Sequence, residues 1–210
     1  MNRAASQHRK AQPARESRTV ELPPPAHDGD LSVERALQAR RSVRDFDGEP
    51  LSEREVGQLL WAAQGVTHPD GRRTAPSGDR AYPIELYAAV PEEVHHYLPN
   101  EHAVEVTPYD GDVRHDLMAA ALGQPSVYSA GAIFVIAAVM ARSPHSARLA
   151  ERYVLLEAGH VAENLILQAT ALRLRCTPVV FVDQRSVQLV LGLPADHLPV
   201  YLVAVGGPQG

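Results

Sequence analysis

Cysteine and lysine each occur once in these 210 residues, at Cys176 and Lys10. A single cysteine can form no disulfide within the chain, and it leaves no thiolate cage for zinc. Lys10 lies in a polar amino-terminal stretch. A Walker-type phosphate loop needs a Gly-Lys step and a pyridoxal enzyme needs a core lysine, so both are excluded. The dinucleotide fingerprint Gly-x-Gly-x-x-Gly is missing too, so a nucleotide-like cofactor has to be held in another way. No apolar run is long enough to span a bilayer, and the polar amino terminus lacks a secretory apolar segment. The expectation is a soluble cytoplasmic protein with no membrane partner. A net charge of -5 and a pI near 6.0 speak against a dedicated nucleic-acid binder. With 45% hydrophobic residues, the chain can bury a sizeable core as one domain carrying a tail.

Arginine, by contrast, is abundant and clustered. Arg40-Arg41-Ser42-Val43-Arg44 places three guanidiniums and a hydroxyl within five residues, followed by Asp45-Phe46 and the turn Asp47-Gly48-Glu49-Pro50. Planar guanidiniums grip phosphate through paired hydrogen bonds and stay charged at physiological pH, so the cluster reads as an oxyanion cradle. A basic helix end fits equally well, because arginine near a helix C-terminus meets the negative end of the dipole. The preceding helix has Ser32 as N-cap and Val33, Ala36 and Leu37 at helical spacing.

Residues 1–30 are rich in Arg, Ser, Gln and Pro, show no apolar period and contain Pro23-Pro24-Pro25. They read as a disordered or partner-clasping arm, with the folded domain spanning 31–210. Ser52-Glu53-Arg54-Glu55 is a capping box that opens a helix with Val56, Leu59, Leu60 and Ala63 on one face. After Gly65, Thr67 to Arg80 is polar and turn-rich. Ile84 to Val90 reads as a strand, 94–97 with 103–106 as a hairpin, and 113–122 as a helix. The nine-residue apolar run 131–139 predicts a central strand covered on both faces. Residues 147–172 predict a long buried helix with one polar stripe, Glu157, His160, Asn164 and Gln168, facing solvent or a partner subunit. Ala158 and Ala162 offer close approach to another helix. Residues 176–182 read as a second buried strand or a turn and 200–205 as a final strand, with Asp183 capping a helix between them. The pattern predicts an α+β three-layer sandwich with a mixed central sheet flanked by helices. Histidines 95, 96 and 102 lack a recognised metal-ligand spacing, and the adjacent pair points to opposite strand faces, so no metal site is expected.

These motifs line up in order with a known family. Arg40-Arg41-Ser42-Val43-Arg44, Leu59-Leu60-Trp61-Ala62-Ala63-Gln64-Gly65, Gly71 to Ser77, Tyr82 to Tyr87, Leu156 to Asn164, Leu191-Gly192-Leu193 and Pro199 to Leu202 together resemble the flavin-dependent nitroreductase superfamily, within it the SagB-type dehydrogenase branch. The resemblance implies a homodimer with FMN at the subunit interface, and NADH or NADPH as electron donor to a small-molecule or peptide substrate. It implies that Arg40, Arg44 and Ser42 meet the flavin phosphate with Arg41 beside them. Pro76 and Ser77 match the loop beside the isoalloxazine ring, and Pro178-Val179-Val180 the segment whose backbone amide reaches the flavin N5. Glu157, His160 and Asn164 are then helix and interface residues. Gly78-Asp79-Arg80 departs from the branch's small-residue run, which gives Arg80 a choice between flavin or substrate and its neighbour Asp79. The azoline-oxidising members carry a Lys-Tyr pair whose place falls near His145-Ser146. That makes His145 the one candidate acid–base residue and speaks against azoline oxidation. A fold-retaining scaffold without redox turnover is the competing expectation, motivated by the altered loop and by the lack of basic residues beyond the last strand.

Overall fold

A computed structural model describes residues 16–180 and 182–209. The strands are β1 (Arg18–Glu21), β2 (Ile84–Val90), β3 (Glu93–Leu98), β4 (Ala103–Pro108), β5 (Ala132–Ala138), β6 (Arg175–Val179) and β7 (Leu198–Gly206). The helices are α1 (Val33–Ala39), α2 (Glu53–Gln64), α3 (Val113–Ala120), α4 (Pro125–Ser129), α5 (Ala147–Ala171) and α6 (Gln184–Leu191). The strands form one sheet in the order β1-β4-β3-β2-β5-β7-β6.

Strand β5 shows why the sheet must be sandwiched. Ala132, Phe134, Ile136 and Ala138 enter one core with Leu59 and Leu60 of α2 and Val154, Val161 and Leu165 of α5. Ile133, Val135 and Ala137 enter a second core with Val113 and Leu117 of α3 and Val187 of α6. Alternate residues point to opposite faces, so a strand apolar at every position needs a helical layer on each side. The expected three-layer α+β sandwich is thus present. The sheet, however, is not mixed: each pairing between these strands is antiparallel. The connection β5-α5-β6 does return the chain in a parallel direction, but β7 slots between the two strands. The parallel element is instead an isolated bridge between Ser42 and Cys176.

Three further expectations change. The stretch read as an arm joins the fold well before residue 31: β1 pairs with β4, and Leu22 is buried in the first core. Gln58 of α2 then clamps Ala26, accepting from its N–H at 2.8 Å and donating to its carbonyl at 3.0 Å. The remainder of that stretch, residues 1–15, lies outside the described residues. Helix α1 buries Ala36 alone, leaving Val33 and Leu37 65% and 55% exposed. Helix α5 is not apolar and buried all round. One side packs inward, while Tyr153, Leu155 and Leu156 are exposed on the other. Ala158 and Ala162 face the chain's own core, not a partner helix.

Truncating Phe134, fully buried in β5, to alanine is expected to cost about 3–5 kcal/mol. Leu37→Ala, on the exposed side of α1, is expected to stay within about 0.5 kcal/mol. Urea unfolding of the two variants checks both values.

Candidate functional site

The arginine cluster begins where α1 ends. Arg40 is the C-cap residue, its N–H donating to the Ala36 carbonyl. Ser42 then pairs with Cys176 of β6, and the Val43 N–H donates to the Cys176 carbonyl at 2.9 Å. Four residues on, Phe46 is buried and bridges to Pro208, while the Asp47 N–H donates to the Gly207 carbonyl at 3.3 Å. The segment is therefore pinned to the sheet at both ends. Its three guanidiniums behave differently. Arg41 turns back on the helix end, donating to the carbonyls of Gln38 at 2.9 Å and Arg40 at 2.7 Å, as the helix-end reading expected. Arg40 and Arg44 do not. Among the described residues, the arginine–carboxylate pairs belong to Arg18, Arg72, Arg80, Arg114 and Arg142. Arg40 lies near enough to Cys176 to favour its thiolate, yet burial wins and pushes that thiol up to about 11.

Arg40, Ser42 and Arg44 thus lie on a pinned segment at the β6 edge, the two guanidiniums without an ion pair among the described residues, and these residue types fit a phosphate ester. Pro178 and Val179 belong to β6 itself, paired with Val203 and Leu202, and the Val179 side chain is buried in the second core. Val180 is the first residue beyond the strand and is 60% exposed.

The loop after α2 forms a second locus. Asp79, Arg80 and Tyr82 all adopt positive φ, at 51°, 55° and 42°. Side chains without glycine's freedom adopt that region at a cost and need support from around them. The support is visible. The Ser77 hydroxyl oxygen accepts from the Tyr82 N–H at 2.9 Å, and Arg142 donates to the Tyr82 carbonyl at 3.3 Å. Arg142 also pairs with Glu85, whose carboxylate meets His96 at 2.6 Å on its other oxygen. Burial alone would raise the Glu85 carboxyl, but His96 and Arg142 hold it below the usual range. Tyr153 lies against Gly78, where a Cβ would come within 2.8 Å of its ring. The His145 ring stacks on Tyr153 with centroids 4.6 Å apart, and its Nε2 lies 3.0 Å from Asp79 Oδ2. His145 thus packs against Tyr153 beside the loop, its buried Nε2 without a hydrogen bond of good geometry. Arg80 pairs with Asp70 at 3.5 Å, not with Asp79. Pro76 is exposed at the rim of the loop.

Beneath Ser77 lies a cluster that sequence reading did not assemble: Gln64 from α2, Arg73 from the following loop and Glu157 from α5. Arg73 donates to the Gln64 carbonyl oxygen at 3.2 Å and stands 4.4 Å over the Tyr82 ring. Glu157 is 4% exposed, so the stripe read as outward divides, with Glu157 inward and His160 outward. At 3.6 residues per turn, His160 sits about 60° from the direction of Glu157, enough to put one in the core and one in solvent. Burial pushes the Glu157 carboxyl up, against the pull of Ser77, Gln64 and Arg73. One signal was available: Glu157 is the sole acidic residue among Val154, Ala158 and Val161 on the core side of α5. The histidines of the hairpin have protein partners, with His95 against Glu93 and His102 between Tyr97 and the Pro23 carbonyl.

A carboxyl whose folded value is raised favours folding when protonated and loses that contribution as pH climbs through the raised value. Stability of the apoprotein should therefore fall as pH rises above the ordinary glutamate range. Glu157→Gln is expected to flatten that part of the profile in thermal melts.

Comparison with known proteins follows the same outline. A family model described as Nitroreductase family matches residues 37–207. A protein named as a nitroreductase from Methanocaldococcus jannaschii is 35% identical over 184 residues, covering 84% of this chain and 91% of its own. A solved structure from Ralstonia eutropha JMP134, also named as a nitroreductase, superposes with a TM-score of 0.81 at 27% identity, over 92% of this chain and 90% of that one. The fold recurs in the E. coli microcin synthetase McbBCD complex, with a TM-score of 0.69 at 21% identity, over 88% of this chain and 76% of that one.

Proposed function

Because the chain belongs to the nitroreductase family of oxidoreductases, matched over residues 37–207, we propose that it is an FMN-dependent dehydrogenase of the SagB type, acting as a homodimer. The observation that carries this reading is the pair Arg40 and Arg44. The chain has 25 acidic residues and a net charge of -5, yet among the described residues these two guanidiniums pair with no carboxylate. A pinned cation pair left open in an acidic protein favours an external anion, and a flavin phosphate supplies one without a lysine or glycine loop. FMN held there by Arg40, Ser42 and Arg44 would supply two-electron chemistry between a nicotinamide donor, NADH or NADPH, and a small-molecule or peptide-borne acceptor.

The chain's own residues bind and orient. Arg40 and Arg44 neutralise the phosphate, and Ser42 adds a hydroxyl donor. Pro76 and Ser77 form a firm edge for the ring, made rigid by Tyr82, Tyr153 and Arg142. The segment from Pro178 to Val180 offers backbone amides at the end of β6. His145 stacks on Tyr153 and lies beside Asp79; the reading uses hydride chemistry without a histidine acid–base step, and the lack of a Lys-Tyr pair at this place disfavours azoline oxidation. For the dimer, the support is the outer side of α5, where Leu149, Leu155 and Leu156 are exposed among Arg148, Glu151 and Arg152. Exposed leucines grouped within a charged surface of this kind are suited to association. No described helix is long and apolar enough to cross a membrane, which is compatible with action in the cytoplasm.

The purified protein is expected to be yellow and to bleach on addition of NADH or NADPH. Replacing Arg40 and Arg44 together by alanine is expected to weaken FMN binding by about 1.5–3 kcal/mol for each charge-assisted hydrogen bond removed. Fluorescence titration of FMN measures this. Unchanged affinity would place the phosphate elsewhere, and a colourless protein that takes up no FMN would favour a scaffold without redox turnover.

A further inference from the structure

Arg72, Arg73, Arg80 and Arg142 gather around the loop after α2, and all but one are paired with carboxylates. Arg72 and Arg80 share Asp70, at 3.0 and 3.5 Å, and Arg142 pairs with Glu85. Arg73 is the exception, with no carboxylate at ion-pair distance among the described residues. Its side-chain partners are neutral. Nη1 donates to the Gln64 side-chain oxygen at 3.2 Å, and the guanidinium lies 4.4 Å over the Tyr82 ring. Nε and Nη2 have no acceptor among the described residues. These two lie on one edge of the guanidinium, and that edge is the fork that grips a carboxylate through two parallel hydrogen bonds.

The open edge is held in a fixed place. The Arg73 backbone N–H donates to the Tyr82 hydroxyl at 3.3 Å, and the Tyr82 N–H donates to the Ser77 hydroxyl oxygen at 2.9 Å. Tyr82 thereby ties Arg73 to the residue set beside the flavin ring. It does so at a φ of 42°, a conformation costly for a bulky side chain and kept where the surroundings over-determine the local shape. Arg142 completes the hold by donating to the Tyr82 carbonyl at 3.3 Å. Arg73 is half-buried, so it has given up part of its hydration without gaining a counter-charge in contact. Glu85 and Glu157 act on it only through space, and Glu85 is already taken by Arg142 and His96.

We propose that Arg73 is a specificity-determining residue, receiving the carboxylate of an anionic redox substrate that lies against the flavin ring. The inference rests on the FMN reading given above. In that reading Arg40 and Arg44 meet the phosphate, which is the flavin's fixed negative charge, and the oxidised ring is neutral. The anion that suits Arg73 therefore belongs to a second molecule. A carboxylate fills both donors of the open edge, whereas a neutral amide offers them one oxygen and brings an amino group with nothing to donate to.

The test compares para-nitrobenzoate with para-nitrobenzamide, which share a planar ring and a nitro group and differ in charge. Calorimetry on the oxidised, FMN-loaded full-length protein gives both dissociation constants, and turnover with the nicotinamide that bleaches the flavin gives KM and kcat. The parent is expected to bind the carboxylate about tenfold or more tightly than the amide. That preference should lie in KM, not kcat, and shrink at high salt. In Arg73→Gln it is expected to fall to within about twofold. Should that variant fold poorly, the holder supplies the comparison: Tyr82→Leu, without the aromatic face, is expected to lose much of the preference, and Tyr82→Phe to keep it. Equal binding of the two probes by the parent, no binding of para-nitrobenzoate, or a preference that survives in Arg73→Gln would overturn the proposal and leave the FMN assignment intact. An Arg73→Gln chain that loses FMN itself would assign the guanidinium to the flavin and overturn it as well. Failure of the parent to bind FMN at all would overturn both.

Discussion

One backbone pairing decides what this protein can hold. The parallel bridge between Ser42 and Cys176 ties the end of α1 to β6, the last strand of the sheet. An open edge strand invites further pairing, and here the chain partly covers it with the segment that carries Arg40 and Arg44. The second tie, at Phe46 and Asp47 against residues 207 and 208, closes the other end. Flexible arginines on a free loop would lose much of their binding energy to ordering, whereas a backbone fixed on both sides of Arg44 has already lost that freedom in folding. The electrostatic consequence is a basic rim in a chain of acidic balance.

Helix α5 connects this rim to the rest of the site. Its inner side is core, from Val154 to Leu165. Near its start it carries Tyr153, which packs against the loop at Gly78, and one turn further on the buried Glu157. Further along, the Ile166 carbonyl lies 4.0 Å from the Cys176 sulfur, beneath the Ser42 bridge. Both halves of the site therefore rest on one rigid helix, whose outer side leaves Leu155 and Leu156 exposed. The backbone cost at Asp79, Arg80 and Tyr82 is held locally by Arg142, His145 and Tyr153, as expected where a surface has to be presented in a fixed shape.

Much of this was legible from the chain alone. Capping chemistry marked α2 and α6, because Ser52-Glu55 and Asp183 satisfy free N–H groups by local hydrogen bonds. The nine-residue apolar run fixed β5 as a doubly covered strand. Long-range pairing was less visible. Nothing in the sequence of β7 says that it lies between β5 and β6, and that insertion is what turns an expected mixed sheet antiparallel. Residues 18–22 alternate polar side chains with Val20 and Leu22, a pattern too short to stand out beside the polar and proline-rich stretches around it, yet they add an edge strand. In the site, the arginine cluster announced itself through local density, although Arg41 turned out to serve the helix end. The Gln64–Arg73–Glu157 cluster did not, since it gathers single residues from three separate stretches. Glu157 was grouped with His160 by spacing, whereas its burial depends on where the loop after α2 crosses α5.

The central claim is that Arg40 and Arg44 are held open for the phosphate of a flavin. A crystal structure of the protein grown with FMN tests it most directly. The account predicts electron density for the phosphate within hydrogen-bonding distance of both guanidiniums and the Ser42 hydroxyl. Flavin density with its phosphate away from all three, or those guanidiniums turned to carboxylates of the chain, would contradict it.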